Sequence, residues 1–306
     1  MSRNPETSSG RLFTDLIQEA SMRYGNWSPN QQMKVGGYSL IVVRPGLMCG
    51  AQVGDYGKLN RETAEFEKDG SIYDEDFLPE LKIKENHDVE EQQPEDEFIV
   101  VSREGKTQGF DADFTAAYPG IASSHIKGRW SFGRGRGAVV VLHKPVEKMI
   151  KDRSMLLPKL IDTLKDRALV TSVFECGMFA LLLTQKAEQL SDAAVGLNLL
   201  EKVGSGLNGT WNHYTSSGVW RCGGEEGKSI FYPLYSLRQP KVQRPRWKRM
   251  LGLRGSPEVQ DEDDDEFEAY QPPWNVLDDD GNEIPTSDGE DEDEGEDRED
   301  NTRELN

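Results

Sequence analysis

The sequence predicts an α+β protein: a twisted antiparallel sheet with flanking helices, forming a single domain, followed by a disordered acidic C-terminal tail. Three observations carry that expectation. Short helical periodicities occur near the N-terminus and again around residue 160, separated by β-branched runs of period two. No stretch is repeated internally. Charge is segregated: the 306-residue chain has a formal charge of -19, yet 23 of its 55 acids lie between Gly255 and the C-terminus, against only Arg298 and Arg303. The remaining chain is close to neutral and basic in patches, with thirteen Lys or Arg against seven Asp or Glu between Val101 and Arg167. Such patches meet phosphate, on nucleic acid or on anionic lipid.

Residues 1–10 read as a flexible polar leader, and 11–254 as the folded body. Leu12, Phe13, Leu16, Ile17 and Ala20 recur at helical spacing and predict a short amphipathic helix. A strand follows at Ser39 to Arg44, ending in a Pro-Gly turn with Leu47 and Met48 at its tip. Residues 54–97 are rich in Gly, Asp, Glu and Lys and poor in apolar anchors, which predicts a flexible acidic loop, most acidic at 65–97. Beyond Glu97, "FIVVSR", "GFDADFTAAY" and "KGRWSFGRGRGAVVVLH" have the alternation of antiparallel strands. Leu157, Leu160, Ile161 and Leu164 then predict a modest helix ending near Arg167, with Pro158 near its start. "ALVTSVFECGMFALLLTQKA", "GTWNHYTSSGVWRCGG" and "SIFYPLYSLRQP" read as further strands, the first as one strand or as a strand broken at Gly177. In "RWKRMLGL", Trp247, Met250 and Leu251 share a helical face.

Enzymatic chemistry finds no foothold in these residues. Cys49, Cys176 and Cys222 lack CxxC or Cys/His spacing, so neither a disulfide framework nor a zinc site is expected. His87, His125, His143 and His213 are scattered without ligands at metal-binding spacing. "GRGRG" at 133–137 lacks the Lys-Ser/Thr of a phosphate-binding loop and does not open a helix. No apolar stretch approaches the roughly 18 residues of a membrane helix. The expectation is a non-enzyme without metal or cofactor, made in a reducing, cytoplasmic compartment.

The order of pieces resembles the pore-forming N-terminal domain of gasdermins, in its short-tailed fungal form. "LFTDLI" followed by "YSLIVVRPGLMCG" is similar to that family's first helix and the strand ending in a membrane-contacting loop. "SMLLPKLIDTLKDRALVTSVFECGMFALLL" looks like its leucine-rich helix and following strand, and "GSGLNGTWNHYTSSGVWRCG" and "SIFYPLYSLR" resemble its closing strands. The likeness spans about residues 11–240. The chain departs from the pattern in having Arg44 alone where relatives often place several bases, and in the acidic insertion at 65–97.

The resemblance implies a cytoplasmic resting protein that a protease releases from its tail, cutting between Leu253 and Glu268. It would then bind acidic phospholipid of the plasma membrane, assemble with copies of itself and open a β-barrel pore, ending in lytic cell death. Lipid contact would fall to Arg11, Arg44, Leu47, Met48, Lys127, Arg129, Arg134, Arg136, Lys241, Arg244, Arg246, Lys248 and Arg249. Phe267, Tyr270, Trp274 and Val276 would anchor the acidic tail over the body until then. A basic body with an acidic tail also fits a non-enzymatic nucleic-acid- or histone-binding protein, although no RNP-like, KH or zinc-finger pattern is present.

Overall fold

The computed structural model describes residues 5–29, 32–35, 38–41, 51–133, 135–187, 190–201, 207–224, 229–241, 266–278 and 282–284. It is an α+β protein built on antiparallel sheets. After α1 (Pro5–Ser21) come β1 (Tyr24–Gly25), β2 (Gln32–Val35), β3 (Tyr38–Ile41), β4 (Asp55–Leu59) and β5 (Phe66–Ser71). A 3-10 turn (Pro79–Leu81), α2 (Ile83–Asn86) and β6 (Val89–Glu91) follow. Next are β7 (Glu97–Val101), β8 (Gly105–Thr107), α3 (Ala112–Ala117), α4 (Pro119–Ala122), β9 (Ile126–Phe132) and β10 (Gly135–His143). The chain continues through β11 (Val146–Ile150), α5 (Arg153–Leu156), a 3-10 turn (Leu157–Leu160), β12 (Ala168–Cys176), β13 (Met178–Ala187) and β14 (Ser191–Glu201). β15 (Leu207–Thr215), β16 (Val219–Gly224), β17 (Ser229–Pro240) and β18 (Phe267–Ala269) complete it.

Four long tracts, 97–107, 126–143, 178–201 and 207–224, pair in that order, and each is split once. The first halves of 97–107 and 178–201 and the second halves of 126–143 and 207–224 form a sheet ordered β16-β13-β10-β7, and the other halves a sheet ordered β15-β14-β9-β8. The breaks fall side by side, after Val101, Phe132, Ala187 and Thr215, so that Gly135↔Ala187 in one sheet adjoins Phe132↔Ser191 in the other. The result is one four-stranded sheet folded over along a line, with the bulge between Gly135 and Gly137 on it. Trp130, Phe132, Ala193 and Val195 from one arm pack on Val139, Val141, Ala180 and Leu182 from the other. The opposite face of β10 and β13, with Ala138, Val140, Leu142, Leu181 and Leu183, packs under Leu12, Phe13, Leu16 and Ile17 of α1. Because both faces of these two strands are covered, "AVVVL" and "ALLL" are uninterrupted rather than alternating.

The larger sheet runs β3-β2-β17-β12-β11-β6 with β1, β4, β5 and β18 attached. Its core takes in Leu156, Leu157, Leu160 and Leu164 together with Tyr235, Leu237, Phe267, Trp274 and Leu277.

Several expectations change. The helix begins at Pro5 rather than after a ten-residue leader, proline being well suited to a first helical turn. Residues 54–97 are not a loop: β4 and β5 pair, and Val53, Leu59, Phe66, Ile72 and Ile83 reach the core while Glu67, Lys68 and Asp69 face water. Few anchors suffice because the hairpin lies on the edge of a sheet that is already built. "GFDADFTAAY" is no strand. Asp111 caps α3, its Oδ1 accepting the Phe114 N–H at 2.8 Å, and so satisfies a first-turn donor. The helix expected up to Arg167 is a single turn followed by a 3-10 turn and further turns, with Pro158 at the break. The acidic tail carries structure within 266–278 and 282–284, where it docks on the body.

Candidate functional site

The segments 266–278 and 282–284 dock on the body as a strap. Its first residues form β18, which extends the sheet by pairing Ala269, Glu268 and Phe267 with Arg238, Gln239 and Pro240 of β17. Phe267 is 2% exposed and Leu277 also 2%, so both anchors are inside the core. Tyr270 packs against the same cluster, and its carbonyl accepts the Tyr24 hydroxyl. Trp274 is buried too, and its indole N–H donates to Asp15 Oδ1 of α1 at 3.2 Å. Burial pushes the Asp15 carboxyl above its ordinary range, against the Trp274 hydrogen bond and the nearby Arg136 charge, which pull it down. Val276, expected as a fourth anchor, is 73% exposed; Leu277 beside it takes that place. In a strand successive side chains point to opposite faces, so only one of two neighbours can anchor.

The end of the strap is a small hairpin. Leu277 bridges Glu283, the Ile284 N–H donates to Val276 O at 2.8 Å, and the Asp278 N–H donates to Asn282 O at 2.7 Å. The hairpin delivers Glu283 to two guanidiniums. Arg11 Nη1 lies 3.2 Å from Glu283 Oε1 and is 2% exposed, whereas Arg61, which is 58% exposed, places Nε 3.1 Å from Oε1 and Nη2 on Oε2. The Asn275 N–H adds a third donor, to Oε2, at 3.3 Å. The Arg61 hydrogen bonds, with the Arg11 charge behind them, hold the Glu283 carboxyl below its ordinary range. Arg136 joins the same region, its Nη1 donating to Asp278 O.

The expected lipid contacts therefore divide. Arg11 and Arg136 are brought together under the strap; Arg11 is enclosed in this state rather than presented to solvent. Lys127 and Arg129 stand on β9, beside Phe110 and the Phe114 ring of α3. Lys127 Nζ lies 5.4 Å above the Phe110 ring and bonds Ala122 O. Arg129 lies 4.4 Å above Phe114 and pairs with Asp111 at 2.7 Å and Asp192 at 3.7 Å, which clasps the helices to the sheet. Lys241 is exposed, with its N–H on Glu266 O at the root of the strap. Arg44, Leu47, Met48, Arg134, Arg244, Arg246, Lys248 and Arg249 lie outside the described residues, as do Cys49 and the expected helical face at Trp247.

Arg61, Asp15, Leu277 and Glu283 are absent from the sequence-based reading. Leu277 could have been found as a further apolar residue in an otherwise acidic stretch. Glu283 could not, being one acid among 23 in the tail. Among the described residues no group of three metal-binding side chains is found, and no helix is long and apolar enough to cross a membrane. Comparison of the chain with known protein families and with curated proteins finds no match.

Proposed function

We propose that the chain is a pore-forming protein of gasdermin type, held in a resting state by residues 266–284 of its own tail. The observation that carries this reading is the strap: one segment adds a strand to β17, fills the core with Phe267 and Leu277, and holds Arg11 and Arg136. A segment that only solubilised the body would stay in water. The folded-over sheet supplies the second requirement. Its four tracts are two long hairpins, 97–143 and 178–224. β10 and β15 have 9 residues each, β13 has 10 and β14 has 11, which matches the roughly 9–11 residues of a membrane-crossing strand. Unfolding the sheet along its single line would extend each hairpin, and in lipid the hairpins must close with those of other copies, because no edge can be left unpaired.

Removal of the strap would strip a polyanion from the body, where each base near an anionic surface gains about 1 kcal/mol. The partners in this reading are acidic phospholipid, an activating protease and further copies of the chain, at the plasma membrane, with no cofactor and no catalytic residue. Dye release from phosphatidylserine and phosphatidylcholine liposomes tests it. The expected result is release from the anionic vesicles by protein truncated after Arg254, with the full chain inert. A folded, monomeric truncated protein that empties neither vesicle would overturn it.

A further inference from the structure

We propose that the Arg11–Arg61 pair is an anion-binding socket whose natural competitor for Glu283 is a terminal phosphoryl group, such as that of a phosphomonoester, so that such a group dislodges the end of the strap without any cut in the chain. This deepens the pore-forming reading by naming what releases the restraint, and its binding step stands apart from that reading.

The geometry is that of a ligand site filled by the protein's own carboxylate. Two guanidiniums from different parts of the body converge on one tail group: Arg11 from α1 reaches Oε1 at 3.2 Å, and Arg61 from the β4–β5 turn reaches both oxygens. Arg11 is 2% exposed, so a fixed cation is built into the fold at the floor of the socket, while Arg61 forms a rim open to water. A planar fork of donors suits a phosphate as well as a carboxylate. A phosphomonoester carries close to two charges at neutral pH and three acceptor oxygens, against one charge and two oxygens for Glu283. The Arg61 carbonyl already lies 3.5 Å from Arg11 Nη1, so the two residues hold each other in place independently of the tail. Arg136, on Asp278 O, stands where a third cation could meet the incoming anion once the hairpin lifts.

What the competitor must overcome is modest. A tethered group acts at an effective concentration on the order of millimolar, so millimolar phosphate ligand competes on equal terms. The part displaced is small: a two-stranded hairpin of this size is marginal in water by itself, so losing its dock exposes the Asp278 and Ile284 amides. β18 and Phe267 need not move in this first step.

Hydrogen exchange of the full chain, followed in peptides covering 274–284, tests the proposal, with inorganic pyrophosphate as the soluble probe. Phosphatidic acid vesicles, compared with phosphatidylcholine vesicles, are the headgroup probe. Exchange at Asp278 and Ile284 is expected to rise about tenfold at saturating pyrophosphate, as binding to one state at several times the dissociation constant requires. Potassium chloride at matched ionic strength should not reproduce it. Glu283→Gln should exchange fast without ligand and gain nothing from pyrophosphate, and Arg61→Gln should lose the response. A response to pyrophosphate assigns a free phosphate, and a response to phosphatidic acid vesicles alone assigns a lipid headgroup; either supports the socket. No response to either probe, an equal response to potassium chloride, or an undiminished response in Arg61→Gln overturns it. Dye release plays no part in this readout. A socket that answers pyrophosphate in a chain that never leaks would sink the pore alone, and a leaking truncated chain without the exchange response would sink the socket alone.

Discussion

Glu283 is held by two arginines of very different burial, and burial decides what each contributes. Arg61 is more than half exposed, so water screens its limb of the pair and it adds little to stability. Arg11 is enclosed, and a buried charge that loses a partner costs several kcal/mol because it cannot be rehydrated in place. Glu283→Gln keeps the shape and an acceptor but removes the charge, so a loss of about 1–3 kcal/mol in urea unfolding is expected. The pH dependence has a definite sign. The docked carboxyl lies below its ordinary value of 4.5, so its contribution is complete above that value and disappears as pH falls through the docked one. Asp15 acts oppositely: its value is raised, which favours its protonated, buried form on acidification. Comparing the acid limb of the unfolding curve with that of Glu283→Gln isolates the socket. The variant should lack the step that the native chain shows below 4.5. Trp274→Phe keeps an aromatic ring but takes the donor from Asp15 and part of the indole's volume from the core, and a cost of about 1–3 kcal/mol is expected by the same unfolding measurement.

At the scale of elements, the folded-over sheet depends on how the four tracts turn at one line. Gly218 sits there with φ of 117°, and a Cβ on it would stand 2.4 Å from the Leu183 carbonyl oxygen. The obstacle is backbone of the paired strand, which cannot swing aside. Gly218→Ala should therefore destabilise the protein by roughly 1–3 kcal/mol, seen as a lower thermal midpoint, and leave the exchange of the strap amides unchanged. An unchanged midpoint would show that the turn relaxes at no cost. The sequence was a good guide to strands whose apolar runs are unbroken, such as 138–142 and 178–183, because two-sided burial demands such runs. It misled at "GFDADFTAAY", where alternation of apolar and polar residues coincides with Phe110 and Phe114 one helical turn apart and the cap at Asp111 decides for helix. It misled again at 54–97, since a hairpin on a sheet edge needs few buried residues and its charged face is indistinguishable from a loop in composition.

For the whole molecule, the proposed function requires the strap to be a reversible attachment. Burial of Phe267, Trp274 and Leu277 favours the attachment, and the entropy of ordering the strap backbone opposes it. Two such opposing terms make a contact that holds when tethered and weakens when cut. A peptide of residues 263–286 added to protein truncated after Arg254 should therefore raise its thermal midpoint, and the Glu283→Gln peptide should need at least about tenfold more to do so. Equal potency of the two peptides would show that the apolar anchors alone fix the strap.

The α+β class, the first helix, most of the strands of the folded sheet, and the tail anchors Phe267, Tyr270 and Trp274 were legible in the chain itself. Each rests on local periodicity or on an apolar residue standing out against its neighbours. The socket was not legible. Arg11 and Glu283 are 272 residues apart, and nothing in either stretch marks one arginine or one acid among many. Charges become a site only when folding brings them within hydrogen-bonding reach and takes one of them out of water, and burial of that kind is a property of the assembled sheets rather than of any segment.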